Sequence, residues 1–223
     1  MQHLRAQLEP IVERIRERFS AKATARDRAY QASRDTIRHC ANAIRAIHRA
    51  EFAEAQALLR TARGLLDRIK EGLTDHPDVF HGGFVDDAQK EYAEACITYA
   101  LVAGDPLPSP EALGVGYAPY LNGMGEAAGE LRRYLLDKLR RNEVSPCEDI
   151  LSHMDEIYIV LVTMDFPDAV TNGLRRTTDM VRGVLERTRG DLTVAVRQRD
   201  LEEKLKALEQ QLSMALHPGD PKS

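Results

Sequence analysis

Two glutamate pairs carry the first chemical signal in this sequence. KEYAEA at 90–95 holds Glu91 and Glu94 three residues apart, and GMGEAAGEL at 123–131 holds Glu126 and Glu130 four apart. Either spacing places both carboxylates on one face of a helix, about one turn from each other. Like charges so placed cost roughly a few tenths of a kcal/mol unless water, an arginine or a metal ion compensates them. Four carboxylates brought together could not all stay ionised: some would take up protons, or a cation would bind. Carboxylate oxygens are hard donors that suit Mg²⁺, Mn²⁺ or Ca²⁺. Magnesium keeps several waters and reaches out to phosphate, the arrangement used in phosphodiester chemistry. A solvated helix face is the plainer alternative for either pair taken alone.

The second pair sits among Gly123, Gly125 and Gly129. Each glycine costs about 1 kcal/mol against alanine in a helix interior. Three of them ask for a packing reason, and close approach of a neighbouring backbone is the obvious one. If that neighbour is the helix carrying KEYAEA, the two pairs converge. Competing carboxylate chemistries fit less well. No ExxH occurs, which a ferritin-like di-iron bundle requires. The all-α nucleoside triphosphate pyrophosphohydrolases pair ExxE with a second acidic helix, but here that helix has four-residue spacing. Serine and cysteine nucleophile signatures and GxxxxGK[ST] are missing. His48, His76 and His81 could assist catalysis, with surface or capping roles as the alternative.

Arg34, Arg38, Arg45 and Arg49 are spaced 4, 7 and 4. At about 100° per residue they form a stripe about 60° wide. Ile37, Cys40, Ile44 and Ile47 occupy a different face. A row of guanidinium groups can follow a phosphate backbone without reading bases; a solvated face, or pairing with acids on another helix, is the alternative. Tyr30, Phe52 and Phe80 are the nearest aromatics that could stack on bases.

The elements that must position these residues are helical almost throughout. The chain has 223 residues, 30% charged and 5% aromatic, without Trp, and Ala, Leu, Arg and Glu favour helix. Helical periodicity covers 3–20, 26–49, 52–72, 85–103, 116–140, a segment from Ser145–Pro146 to about 163, and 169–213 with a joint near Gly190. TDHPDVFHGG, GDPLPSP, NEVSP and Phe166–Asp168 interrupt it. No strand pattern occurs. The expectation is an all-α, single-domain bundle of about six or seven helices over 1–213, with a flexible tail over 214–223. Leu201, Leu205, Leu208 and Leu212 recur at 4-3-4 spacing on the last helix, either as a seam for another helix or as an ordinary core stripe.

Residues 1–70 carry 15 Lys and Arg against 8 Asp and Glu, whereas residues 71–223 carry 16 against 27. That asymmetry suggests an anionic partner such as nucleic acid, or two halves that complement each other. No apolar run is long enough to span a membrane, and MQHLRAQLEP lacks the core of a signal peptide. Cys40, Cys96 and Cys147 are scattered and odd in number, which supports neither a disulfide framework nor a zinc site. A cytoplasmic location follows as an expectation.

Three segments in order resemble the translin and TRAX family: SRDTIRHCANAIRAIHR (33–49), FHGGFVDDAQKEYAEA (80–95) and YLNGMGEAAGELRR (120–133). Together they mark out most of 25–140; the last third matches in length and helicity. The resemblance implies a seven-helix domain assembling into a hollow oligomer, often an octamer, that binds single-stranded nucleic acid and short duplexes on a basic inner surface. TRAX-type subunits add an Mg²⁺-dependent endoribonuclease activity, known from the complex that degrades the passenger strand of small interfering RNA. Carried onto this chain, the catalytic acids are Glu91, Glu94 and Glu126, with Glu130 as the glutamate of GEL; the expected metal ligands are these three and Glu130. Translin-type chains lack the acid at the position of Glu126, so this chain looks like TRAX. TRAX subunits commonly have Asp there, one methylene shorter.

The reading is therefore an Mg²⁺-dependent endoribonuclease, with Mn²⁺ as a substitute ion. It would act on single-stranded RNA or small RNA duplexes inside a homo-oligomeric shell, with Arg34, Arg38, Arg45 and Arg49 holding the RNA backbone. The alternative is a translin-like nucleic-acid-binding oligomer without catalysis.

Overall fold

The structure, a computed structural model, describes residues 2–216. Among them there are nine helices and no strand. Six are long: α1 (Gln2–His48), α2 (Phe52–Gly72), α4 (Gly83–Ala103), α6 (Tyr117–Arg140), α7 (Cys147–Val162) and α9 (Leu174–Leu216). Three are single turns: α3 (Pro77–Phe80), α5 (Pro110–Leu113) and α8 (Asp168–Thr171). The all-α expectation therefore holds, and its six or seven helices correspond to the six long ones. No helix of the described residues is long and apolar enough to cross a membrane.

Two expected interruptions are absent. Periodicity places a break between 20 and 26, yet α1 runs unbroken for 47 residues. The joining residues, AKATA, contain neither Gly nor Pro, and alanine is the best helix former. Pro10 lies inside the same helix, in an exposed arm with no core packing to disturb. The joint near Gly190 is missing as well: one glycine costs about 1 kcal/mol, and buried Val181, Leu185, Thr188 and Leu192 anchor that stretch of α9. Helix α9 is described as far as Leu216, so the first three residues of the expected tail are helical and the rest, 217–223, lie outside the described residues.

Helix α1 packs on α2 and α4, α4 packs on α6, and α6 packs on α7 and α9. One core runs through this series, centred on Ile97, Leu131, Leu135, Met154 and Leu161. Helix α4 is its middle layer, covered by α1 and α2 on one side and by α6 on the other. Tyr92, Ala93 and Ala95 are buried around the two glutamates of KEYAEA. Small side chains there let neighbouring helices close in, which brings charged groups of α4 next to α6.

Residues 4–20 of α1 and 200–213 of α9 carry no buried side chain. Both ends are helical arms with apolar stripes. Leu201, Leu205, Leu208 and Leu212 are each 50–58% exposed, so their spacing is not a core stripe within this chain. Leu4, Leu8, Ile11, Ile15 and Phe19 form a matching exposed row on α1.

Candidate functional site

Helices α4 and α6 build the site together. The approach depends on Gly123: a Cβ there would lie 2.5 Å from the Lys90 carbonyl oxygen, 2.9 Å from the Glu94 amide nitrogen and 3.0 Å from the Ala93 Cβ. The close approach expected of this glycine is therefore to KEYAEA itself. Gly125 faces the other way, against Thr177, Leu161 and Val181, and Gly129 meets nothing within 4 Å. This contrast carries a prediction for urea denaturation. Gly123→Ala should destabilise by about 1–3 kcal/mol, because the clash is with backbone that cannot turn aside. Gly129→Ala should stabilise by up to about 1 kcal/mol from helix propensity alone. Equal shifts in the two variants would contradict this account of the α4–α6 contact.

Across that contact Glu91, Glu94 and Glu126 converge, each offering a carboxylate oxygen within 4.8 Å of the others. Glu94 is buried, while Glu91 and Glu126 are half-buried. Burial pushes Glu94 up to a pKa of about 8, reinforced by the charges of Glu91, Glu126 and Glu130 and opposed by Lys90. Glu91 is also raised, first by burial, with Lys90 pulling the other way and Glu126 adding to the rise.

Glu130 sits differently. Its carboxylate is 2.5 Å from His48 Nε2 at the end of α1 and 3.8 Å from Arg133. It is near enough to act on Glu94 by charge, but it is not among the three converging oxygens. His48, 5% exposed at its side chain, thus packs against an acid of the second pair. Its Nδ1 is buried without a hydrogen-bond partner. His76 and His81 flank the short α3.

Sequence reasoning passed over Lys90, although it opens KEYAEA. Its ammonium donates to Glu126 at 2.7 Å and lies 3.6 Å from Glu91. Burial opposes that charge, but the hydrogen bond and charge of Glu126, with Glu91 and Asp87, outweigh it and raise the pKa of Lys90. Asp87 was missed too. The 4-3 spacing of Asp87, Glu91 and Glu94 puts all three on one face of α4, and that spacing was the available signal.

The arginine stripe is exposed: Arg34, Arg38, Arg45 and Arg49 are all at the surface. Cys40, Ile44 and Ile47 are buried. Cys40 feels the charges of Glu91 and Glu94, so its face of α1 is the one turned toward the acids. At about 100° per residue the arginines lie roughly 120–180° from Cys40, on the far side of the helix. His48, about 40–60° round α1 from Arg34 and Arg45, is the residue by which this helix reaches an acid of the second pair. Arg38 pairs with Asp35 at 2.9 Å, Arg45 bonds Asn42 at 2.7 Å, and Arg49 pairs with Glu51 and Glu54.

The donor set suits a hard divalent cation: three carboxylates from two helices, one of them deeply buried and unwilling to ionise alone. The ammonium of Lys90 now supplies the positive charge that such an ion would bring.

No protein-family model matches the chain. A protein of Methanocaldococcus jannaschii, itself uncharacterised, is 29% identical over 195 residues, covering 86% of each chain. A solved complex of AfC3PO with duplex RNA is similar at 33% identity, with a TM-score of 0.78 over 84% of this chain and 97% of that one. The crystal structure of apo-NeC3PO shares the fold at 20% identity, with a TM-score of 0.76 over 83% of this chain and 97% of that one.

Proposed function

The chain belongs to the translin/TRAX family of C3PO-type proteins, and from that footing we propose that it is a divalent-metal-dependent endoribonuclease. The convergence of Glu91, Glu94 and Glu126 within 4.8 Å carries the reading. The similarity to AfC3PO, solved with duplex RNA, supports RNA as the substrate, either single-stranded or in small duplexes.

Glu91, Glu94 and Glu126 would hold Mg²⁺, or Mn²⁺ in its place. The bound ion supplies Lewis-acid polarisation of a phosphoryl oxygen and a more acidic water. The chain's own residues do the rest. Gly123 keeps α4 and α6 close enough for carboxylates of both helices to meet. Glu94 holds a proton at neutral pH while the site lacks added positive charge, and releases it as that charge enters. His48 fixes Glu130 beside the triad, where its negative charge adds to the pull on a cation. The exposed arginines would add phosphate contacts, a non-specific and salt-sensitive contribution.

A non-catalytic, RNA-binding reading has one observation in its favour: Lys90 already neutralises part of the triad. The purified chain, incubated with labelled single-stranded RNA and a short duplex in Mg²⁺ or EDTA, separates the two. Cleavage only with Mg²⁺ is the expected result; tight binding with intact RNA in every tube would establish the non-catalytic reading.

Both helical arms support self-association, because each exposes an apolar row that its own chain does not cover. Sedimentation should show a homo-oligomer, and Leu205→Glu with Leu208→Glu should shift it to smaller species. An unshifted oligomer would remove the α9 arm from the interface.

A further inference from the structure

Building on the nuclease reading, we propose that Lys90 is a displaceable counter-charge: its ammonium holds Glu126 and Glu91 until a divalent cation takes them, then joins Arg176 in gripping an RNA phosphate in the adjoining cleft. The ammonium sits on two of the three converging carboxylates, at 2.7 Å and 3.6 Å. A cation bound by those oxygens must evict it, since like charges cannot share the position. Its destination is set by the structure. Lys90 and Glu126 also line a cleft of 440 Å³ whose opposite wall is Asn172, Arg176 and Thr177. The Arg176 guanidinium has no hydrogen bond or ion pair among the described residues. The four-carbon stem of lysine lets Nζ swing from one partner to another while the backbone stays in place.

Charge then decides the order of binding. Asp86, Asp87 and Glu126 against Lys90 and Arg176 leave the cleft one negative charge in excess. A phosphate is repelled from that arrangement. Two added positive charges on the triad, less the proton that Glu94 gives up, cancel that excess, and the released ammonium becomes a donor for the incoming phosphate. Cation and RNA phosphate therefore bind with positive coupling, and linkage makes the coupling reciprocal.

The test uses the full chain with Mn²⁺ in calorimetric titration, and a short phosphorothioate RNA followed by fluorescence anisotropy with Mn²⁺ present. Lys90→Gln should bind Mn²⁺ more tightly than wild type without RNA, by about fivefold or more, and should bind the RNA about fivefold more weakly. Arg176→Gln should weaken RNA binding and leave Mn²⁺ affinity unchanged. Lys90→Arg, which keeps the charge, should stay near wild type on both scales. A merely structural lysine would not move the two affinities in opposite directions. Equal Mn²⁺ affinity in wild type and Lys90→Gln would overturn the counter-charge role while leaving the metal reading intact. Unchanged RNA binding in Arg176→Gln would overturn the phosphate cleft, even if Lys90→Gln failed to fold. No Mn²⁺ binding by wild type would overturn the metal reading itself, and this inference with it.

Discussion

Glu126→Ala should abolish the proposed Mg²⁺-dependent RNA cleavage, with a loss of at least about 100-fold, because even the outer-shell partners of metal ligands are worth about 10–100-fold. The substitution removes the only triad carboxylate contributed by α6. What remains is an i,i+3 pair on α4, which offers oxygens from one side alone. The fold should survive. Glu126 is half-buried, and its hydrogen-bond partner Lys90 still has Glu91 at 3.6 Å. RNA affinity in EDTA should therefore be kept or rise, since Lys90 loses its partner Glu126 and the cleft one negative charge, while cleavage in Mg²⁺ disappears. Glu126→Asp, one methylene shorter, should retain part of the activity. The measurement is a single-turnover cleavage series with far-UV circular dichroism as the folding control. Full activity in a folded Glu126→Ala protein would place the metal elsewhere.

Glu94→Gln should make the metal-free protein more stable than wild type at pH 8–9 and leave it near wild type at pH 5. The sign follows from linkage. Burial holds the Glu94 carboxyl at about 8 in the folded state, against an ordinary value of 4.5. The folded state therefore keeps a proton that the unfolded chain releases. Below that lower value the protonated form is common to both states and its stabilising contribution is fully present. Between the two values stability falls by up to about 1.4 kcal/mol per pH unit, and the contribution is lost as pH rises through the folded value. Glutamine is neutral at every pH and abolishes this slope. In EDTA, urea denaturation of wild type and variant should diverge from pH 5 to pH 9, reaching a difference of a few kcal/mol. Mg²⁺ should close much of the gap by stabilising wild type alone. Parallel stability profiles for the two proteins would show that Glu94 titrates normally, and would remove burial as the feature that distinguishes it.

Much of the architecture is legible in the sequence, because helical periodicity is local. The apolar spacing along 52–72, 85–103 and 116–140 corresponds closely to α2, α4 and α6. The three-residue spacing of Glu91 and Glu94 was sufficient to place them on one face, and a glycine-rich helix pointed to a close neighbour. Errors arose where a weak local signal was read as a boundary. AKATA and Gly190 each lack the strength to end a helix that tertiary packing or alanine propensity continues. Exposure of the leucines at 201–212 was beyond sequence, since 4-3-4 spacing describes a buried stripe and an open one equally well.

The sequence by itself determined the helices, their apolar faces and which acids share a turn, all of which depend on residues three or four apart. The tertiary structure alone decided which acids meet. It joined Glu126 to Glu91 and Glu94 across Gly123, drew Glu130 aside to His48, 82 positions away in the chain, and set Lys90 against the triad. It also left all four arginines of the stripe at the surface of α1. Periodicity states which way a side chain points around its own axis. The partner it meets depends on the rotation and axial register of one helix against another, and these are set by long-range packing of the whole core.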